Sequence, residues 1–269
     1  MVALFVLKLV TGVTLMWLLM PRKEVTDGFF RIQMLVGLGL CVLIALAADP
    51  SSLISGVSGA SGVPVSAEQT VQAKLTVSIL KGLMIVGAVT SYVGHIVWKL
   101  GRRGPGRVTI YLMSLCCVLG LALHAIRADS KVNTMVQIAS DFSSASVLGA
   151  MLTGMLLGHW YLTTPTMSIQ PLTWFAKTLF VAAVLRMAVS AVVLLQFGWS
   201  ATDTTHILWL SMRLIGGILV PAVISMMVVK ILQYRNTQSA TGVLFAGLIL
   251  VFMGEMTAAL LERDLGIPY

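Results

Sequence analysis

The chain has 269 residues, 58% of them hydrophobic and only 10% charged, with 18 Lys and Arg against 10 Asp and Glu for a net charge of +8. A water-soluble domain carries about 25% charged residues, so this composition excludes one. At about 20 apolar residues per crossing plus short loops, the length holds roughly eight membrane crossings and leaves nothing for a separate soluble domain.

The apolar runs predict eight transmembrane helices: Val2–Met20, Phe30–Ala48, Leu75–Leu100, Val108–Ile126, Ser144–Leu162, Leu172–Phe197, Ile207–Leu232 and Ala240–Leu261. The expected fold is therefore all-α, a single membrane-embedded helix bundle covering residues 1–269. The first run resembles a signal sequence in length. However, Lys8 lies within it and no small-residue cleavage site precedes Pro21, so it reads as a retained helix. Residues 49–73, rich in Ser, Gly and Val, read as a flexible outer loop. Trp17, Trp98, Trp160, Trp174, Trp199 and Trp209 lie mostly near span ends, where interfacial anchors belong.

Loop charge gives the expected orientation. Alternate connections carry Arg22 and Lys23, then Lys99, Arg102, Arg103 and Arg107, then Lys230 and Arg235. The other set has Lys74, Arg127 and Lys131 diluted by Asp49, Glu68, Asp129, Asp141 and Asp203. Basic loops favour the cytoplasmic side, so both termini are expected on the outer, non-cytoplasmic side, with a bacterial cytoplasmic membrane as the expected location. Because the cations lie between apolar runs, the bilayer is the expected partner and nucleic acid is not. Membrane or peripheral partner subunits remain open as further partners.

Ionisable residues inside a span cost about 3 kcal/mol each at the bilayer centre, which makes them candidates for function. Lys8, Lys81, Arg186, Arg213 and Glu255 qualify. Glu255 pairs most simply with Arg213, on the adjoining helix, while Lys8 and Lys81 are near enough to helix ends to snorkel. Arg186 shares a helical stripe with the small residues Ala182 and Ser190. Arg213, Gly217 and Pro221 line one face at four-residue spacing, and Pro221 frees the carbonyl of Gly217. Two readings follow: a buried ion pair that fixes helix register, or a polar cavity for an anionic or carbonyl-bearing ligand such as quinone.

His95 and His159 both fall near the inner ends of their spans and His124 and His206 near the outer ends. Two histidines at matched depth are what a b-type haem requires, with Gly94 and Gly158 giving room beside the inner pair. Cys41, Cys116 and Cys117 form no metal-binding or disulfide pattern. Motifs for metal, phosphate or acyl chemistry do not occur, so a stand-alone enzyme is not indicated. The polar turn 233–242 (QYRNTQSATG) reads as a basic inner turn ending in a helix cap, with lipid or partner binding as the alternative.

The last two spans, from Trp209 through Pro221 to Gly254, loosely resemble the quinone-interacting membrane subunits of respiratory oxidoreductases of the polysulfide-reductase type. That likeness covers about a quarter of the chain and implies eight spans, outer termini and a polar quinone pocket in the outer half. The first six spans carry no matching motif. The expected roles are a membrane subunit of a redox complex binding quinone or b-type haem, a scaffold or assembly protein without cofactor, or a secondary transporter of a small anionic solute.

Overall fold

The computed structural model describes residues 1–49, 67–127, 133–164, 167–198 and 203–269. Among them lie eight helices long and apolar enough to cross a membrane. These are α1 (Val2–Leu19), α2 (Asp27–Ala47), α3 (Ala67–Lys99), α4 (Arg103–Arg127), α5 (Thr134–Thr163), α6 (Gln170–Phe197), α7 (Thr204–Gln233) and α8 (Thr237–Leu265). No strand occurs among the described residues. The fold is that of a polytopic helical membrane protein. Apolar side chains outside the bundle, such as Leu46 (78% exposed), Val181 (65%) and Leu195 (87%), match a lipid-facing surface.

Consecutive helices pack as two rings of four. In the first, α1, α2, α3 and α4 pack in order and α4 returns to α1; in the second, α5, α6, α7 and α8 do the same. The rings meet back to back along α1 and α5, and one apolar core runs through both. Trp17 of α1 is fully buried there, although its sequence position suggested an interfacial anchor. Basic turns are tied together at one end of the bundle. Arg22 Nη2 donates to Tyr111 Oη (3.3 Å), Arg103 pairs with Asp27 (2.8 Å), and Trp160 Nε1 donates to Thr26 Oγ1 (2.9 Å).

Glycines set the two closest helix crossings. A Cβ on Gly12 of α1 would stand 1.8 Å from the Ala145 carbonyl oxygen of α5, and one on Gly149 would stand 2.1 Å from the Gly12 backbone. Likewise a Cβ on Gly254 of α8 would lie 2.4 Å from Gly217 Cα of α7. Small residues at such points let backbones touch, which supplies the dispersion contact that holds helices together in lipid.

Most helix boundaries lie within a few residues of the sequence expectation, but two helices begin well before their apolar runs. Helix α5 starts at Thr134, capped by the Asn133 side chain, ten residues before Ser144. Helix α3 starts at Ala67, so residues 67–73 of the expected loop are helical and residues 50–66 lie outside the described set. Helix α7 is broken by a π-helical turn, Ile215–Leu219, where the Val220 N–H donates to the Ile215 carbonyl five residues back. The irregularity therefore sits one turn before Pro221, at the Gly216–Gly217 pair.

Gly149→Ala is expected to lower stability by roughly 1–3 kcal/mol, because α1 and α5 must part to admit the methyl group. Gly39→Ala and Gly82→Ala, where a Cβ meets nothing within 4 Å, are expected to be neutral or slightly stabilising. Thermal unfolding in detergent compares all three, and equal midpoints would count against the glycine crossing as a fold determinant.

Candidate functional site

The two glycine crossings also decide where charge meets charge. Lys8 lies one turn before Gly12 on α1, and Asp141 lies one turn before Ala145 on α5, so the contact at Gly12 brings them together. Lys8 Nζ stands 2.8 Å from Asp141 Oδ1 and 3.9 Å from Glu262 Oε2 of α8. At the second crossing, Arg213 is one turn before Gly217 and Glu255 adjoins Gly254. Their side chains form a fully buried ion pair through Arg213 Nη1 and Glu255 Oε1. The sequence pairing of Arg213 with Glu255 is present in the structure.

Helix α5 links these pairs. Gln137, Ser140, Asp141 and Ser144 stand at helical spacing on one buried stripe, with Ser143 beside them. Gln137 Nε2 donates to Glu262 Oε1 (2.7 Å) and Ser144 Oγ accepts from Arg213 Nη2 (3.2 Å). Arg186 of α6 donates through Nη1 to Ser140 Oγ (2.7 Å), to the Ser140 carbonyl (3.1 Å) and to Ser143 Oγ (3.3 Å). One polar stripe thus receives side chains from α1, α6, α7 and α8.

The segment after α8 completes the centre. Gly266 takes the left-handed conformation (φ 71°) that glycine adopts without steric cost, ending α8 and turning residues 267–269 into the bundle. Ser140 Oγ donates to the Pro268 carbonyl (3.1 Å), and Tyr269 Oη donates to the Gly198 carbonyl (3.2 Å). The Tyr269 main-chain oxygen accepts from both arginines, from Arg186 Nη2 at 2.5 Å and from Arg213 Nε at 3.1 Å. Two buried guanidiniums from different helices therefore converge on a single oxygen.

Three basic side chains (Lys8, Arg186, Arg213) face three acidic ones (Asp141, Glu255, Glu262) in this centre. The acids are shared unevenly. Asp141 and Glu262 both contact Lys8 and Glu255 contacts Arg213, while Arg186 meets only hydroxyl and main-chain oxygens. Arg186 is 1% exposed and its Nε has no hydrogen-bond partner, nor does Ser190 Oγ one turn further along the same face of α6. Counted at 1.5 Å per residue from the helix ends away from the basic turns, Lys8 and Arg186 lie about 9 and 16 Å deep.

One open alternative is resolved and one expectation needs correction. Lys8 faces the bundle; it is 7% exposed and paired with Asp141. Asp141 is not a loop residue but a fully buried part of α5. Read from its apolar run alone, α5 starts too late and loses Gln137, Ser140, Asp141 and Ser143. The signal that finds them is the Asn133 cap followed by polar residues at i, i+3, i+4 and i+7.

The other candidates lie elsewhere. Lys81 of α3 is half-exposed. His95 Nδ1 lies 3.1 Å from the Arg31 carbonyl on α2, and His159 is exposed on α5. Helix α3 packs on α2 and α4, and no substantial interface joins it to α5 among the described residues, so the structure does not bring His95 and His159 together. His206 instead faces Asp203 (4.0 Å) and Asp264 (3.7 Å). No grouping of three or more His, Cys, Asp or Glu suited to a metal ion occurs among the described residues.

The arrangement defines a class, a polytopic helical membrane protein with a buried, charge-paired polar centre. No family model matches the chain, and no curated protein or solved structure is recognisably similar to it.

Asp141→Asn is expected to cost about 3–5 kcal/mol, because it leaves the buried Lys8 ammonium without its close counterion. The double change Lys8→Met with Asp141→Leu removes both charges and should regain most of that loss. Chemical unfolding in detergent measures both, and wild-type stability in Asp141→Asn would show that the pair contributes nothing.

Proposed function

We propose that this protein is a secondary transporter that binds a small anionic solute, such as a carboxylate, at the Arg186–Arg213 pair. One observation carries the reading: two buried guanidiniums converge on one oxygen, and one of them, Arg186, has no side-chain carboxylate as partner. Guanidinium forks match carboxylate geometry and bind it through paired, charge-assisted hydrogen bonds. The solute's oxygens would take the position held by the Tyr269 main-chain oxygen, with Arg186 Nε and Ser190 Oγ as further donors.

Helix α7 supports movement as well as binding. Its π turn adjoins Arg213, and π turns within helices concentrate at functional sites. Alternating access in membrane carriers relies on broken helices of this kind beside a central polar site.

A redox subunit binding quinone at Arg186, Arg213 and Glu255 is the second reading. It rests on the acceptor position between the two arginines, which a quinone oxygen would also fit. The b-type haem at His95 and His159 is less favoured, because no substantial interface joins α3 and α5 among the described residues.

Reconstituted into liposomes, the protein is expected to exchange labelled mono- or dicarboxylates across the bilayer. Arg186→Lys keeps the charge but loses the fork, and should lower uptake by at least about tenfold with the folded protein still recovered. A reduced-minus-oxidised spectrum and quinone extraction on the same sample test the second reading. Bound quinone without carboxylate flux would replace the transporter by the redox subunit, and neither flux nor cofactor would overturn both.

A further inference from the structure

A second polar feature lies at the opposite end of the bundle and plays no part in the centre described above. A cleft of about 890 Å³ opens among the α5–α6 connection, the start of α6 and the α7–α8 turn. Its lining includes Lys177 and Arg235 and no carboxylate, together with the hydroxyl and amide groups of Ser168, Gln170, Thr173, Gln233 and Thr237. Tyr161 forms the floor, buried in α5 and tied by its hydroxyl to the Ser168 carbonyl. Trp174, an aromatic of the type that collects at membrane boundaries, stands at its side.

We infer that this cleft binds a phosphate-bearing group, and specifically the headgroup of an anionic phospholipid in the adjoining leaflet. Two cations without an acid, ringed by hydrogen-bond donors, select a phosphate oxyanion over a neutral or cationic group. Basic pockets between helices at a membrane boundary are the sites where such headgroups lodge. The volume is within the range of small-molecule sites. Helices α6 and α8 also begin at the rim, at Gln170 and Thr237, and direct the positive ends of their dipoles toward it.

The backbone at Arg235 adds an independent sign. Among the described residues it alone, apart from glycines, has a positive φ (56°). A helix that ends in this conformation ordinarily uses glycine or asparagine there. An arginine accepts the steric disadvantage and stands in the lining of the cleft. If only the turn mattered, glycine would serve better.

That contrast supplies the test. The full-length protein is placed in phosphatidylcholine nanodiscs containing a minor share of phosphatidylglycerol, and lipids retained after extraction are counted by native mass spectrometry. Wild type is expected to retain phosphatidylglycerol preferentially, and each of Arg235→Gly and Lys177→Gln to weaken that preference by about fivefold. Arg235→Gly should meanwhile unfold at the same temperature as wild type or higher, and Lys81→Gln should leave retention unchanged. Added inorganic phosphate separates the sources: phosphatidylglycerol that stays bound identifies the lipid, and displacement by phosphate at equal stoichiometry assigns the site to the free anion. Equal retention of the two lipids by wild type, with no phosphate binding, overturns the inference, as does unaltered preference in the Arg235→Gly, Lys177→Gln double variant.

Discussion

A charge placed in hydrocarbon must meet an opposite charge or a set of hydrogen bonds, and the polar stripe of α5 is where this chain meets that demand. Gln137, Ser140, Asp141, Ser143 and Ser144 receive Lys8, Arg186, Arg213 and Glu262 from four other helices. Remove the stripe and three basic residues stand in the interior with only two carboxylate side chains among them. Their burial would then cost several kcal/mol per ion, which is on the scale of a whole domain's stability. Helix α5 is accordingly the element through which the second ring meets the first, packed on α1 across the boundary and on α6 and α8 within its own ring.

The pairing depends in turn on residues that carry no charge. Gly12 and Gly149 let α1 and α5 touch, and Gly217 and Gly254 do the same for α7 and α8. In each case the ion pair stands within about one turn of the backbone contact, on the side away from the basic turns. Small residues thus set distance, and distance sets charge partnership. Since lipid supplies no hydrophobic force between helices, a stable ion pair and a close backbone contact reinforce one another at the same place.

Much of the fold was legible in the sequence because membrane insertion is decided by composition over about twenty residues, a local property. Eight spans, their order and the Arg213–Glu255 pair could all be read from hydropathy and chain proximity. Hydropathy did not find the start of α5, because Gln137, Ser140 and Asp141 are polar; only the Asn133 cap and their helical spacing mark them as helix. The orientation of Lys8 stayed open for the same reason: an isolated lysine near a helix end can snorkel, whereas one facing a buried aspartate does not. The role of residues 267–269 was equally hidden, since three residues carry no periodicity. The π turn in α7 differs again, for Pro221 announced an irregularity but not that the glycine pair before it would absorb the extra residue.

The uneven sharing of acids bears most directly on function. A network that served stability alone would place one acid on each base, since every unmatched ion adds desolvation without Coulomb return. Here two acids approach Lys8 while Arg186, equally buried, relies on serine oxygens and the Tyr269 main-chain oxygen. The side-chain charges balance in number, yet the acids stand against Lys8 and Arg213, and Arg186 meets only hydroxyl and main-chain oxygens. An acid in place of Ser140 or Ser143 would stand directly against the Arg186 guanidinium, but the chain puts hydroxyls at both positions. One turn beyond Asp141, the Ala145 backbone packs directly on Gly12. The acid of α5 is therefore committed to Lys8 at the crossing with α1, and Arg186 keeps its charge unmatched by any side chain. An oxyanion arriving between the arginines would meet donors already in position, which is the condition under which buried charge serves binding.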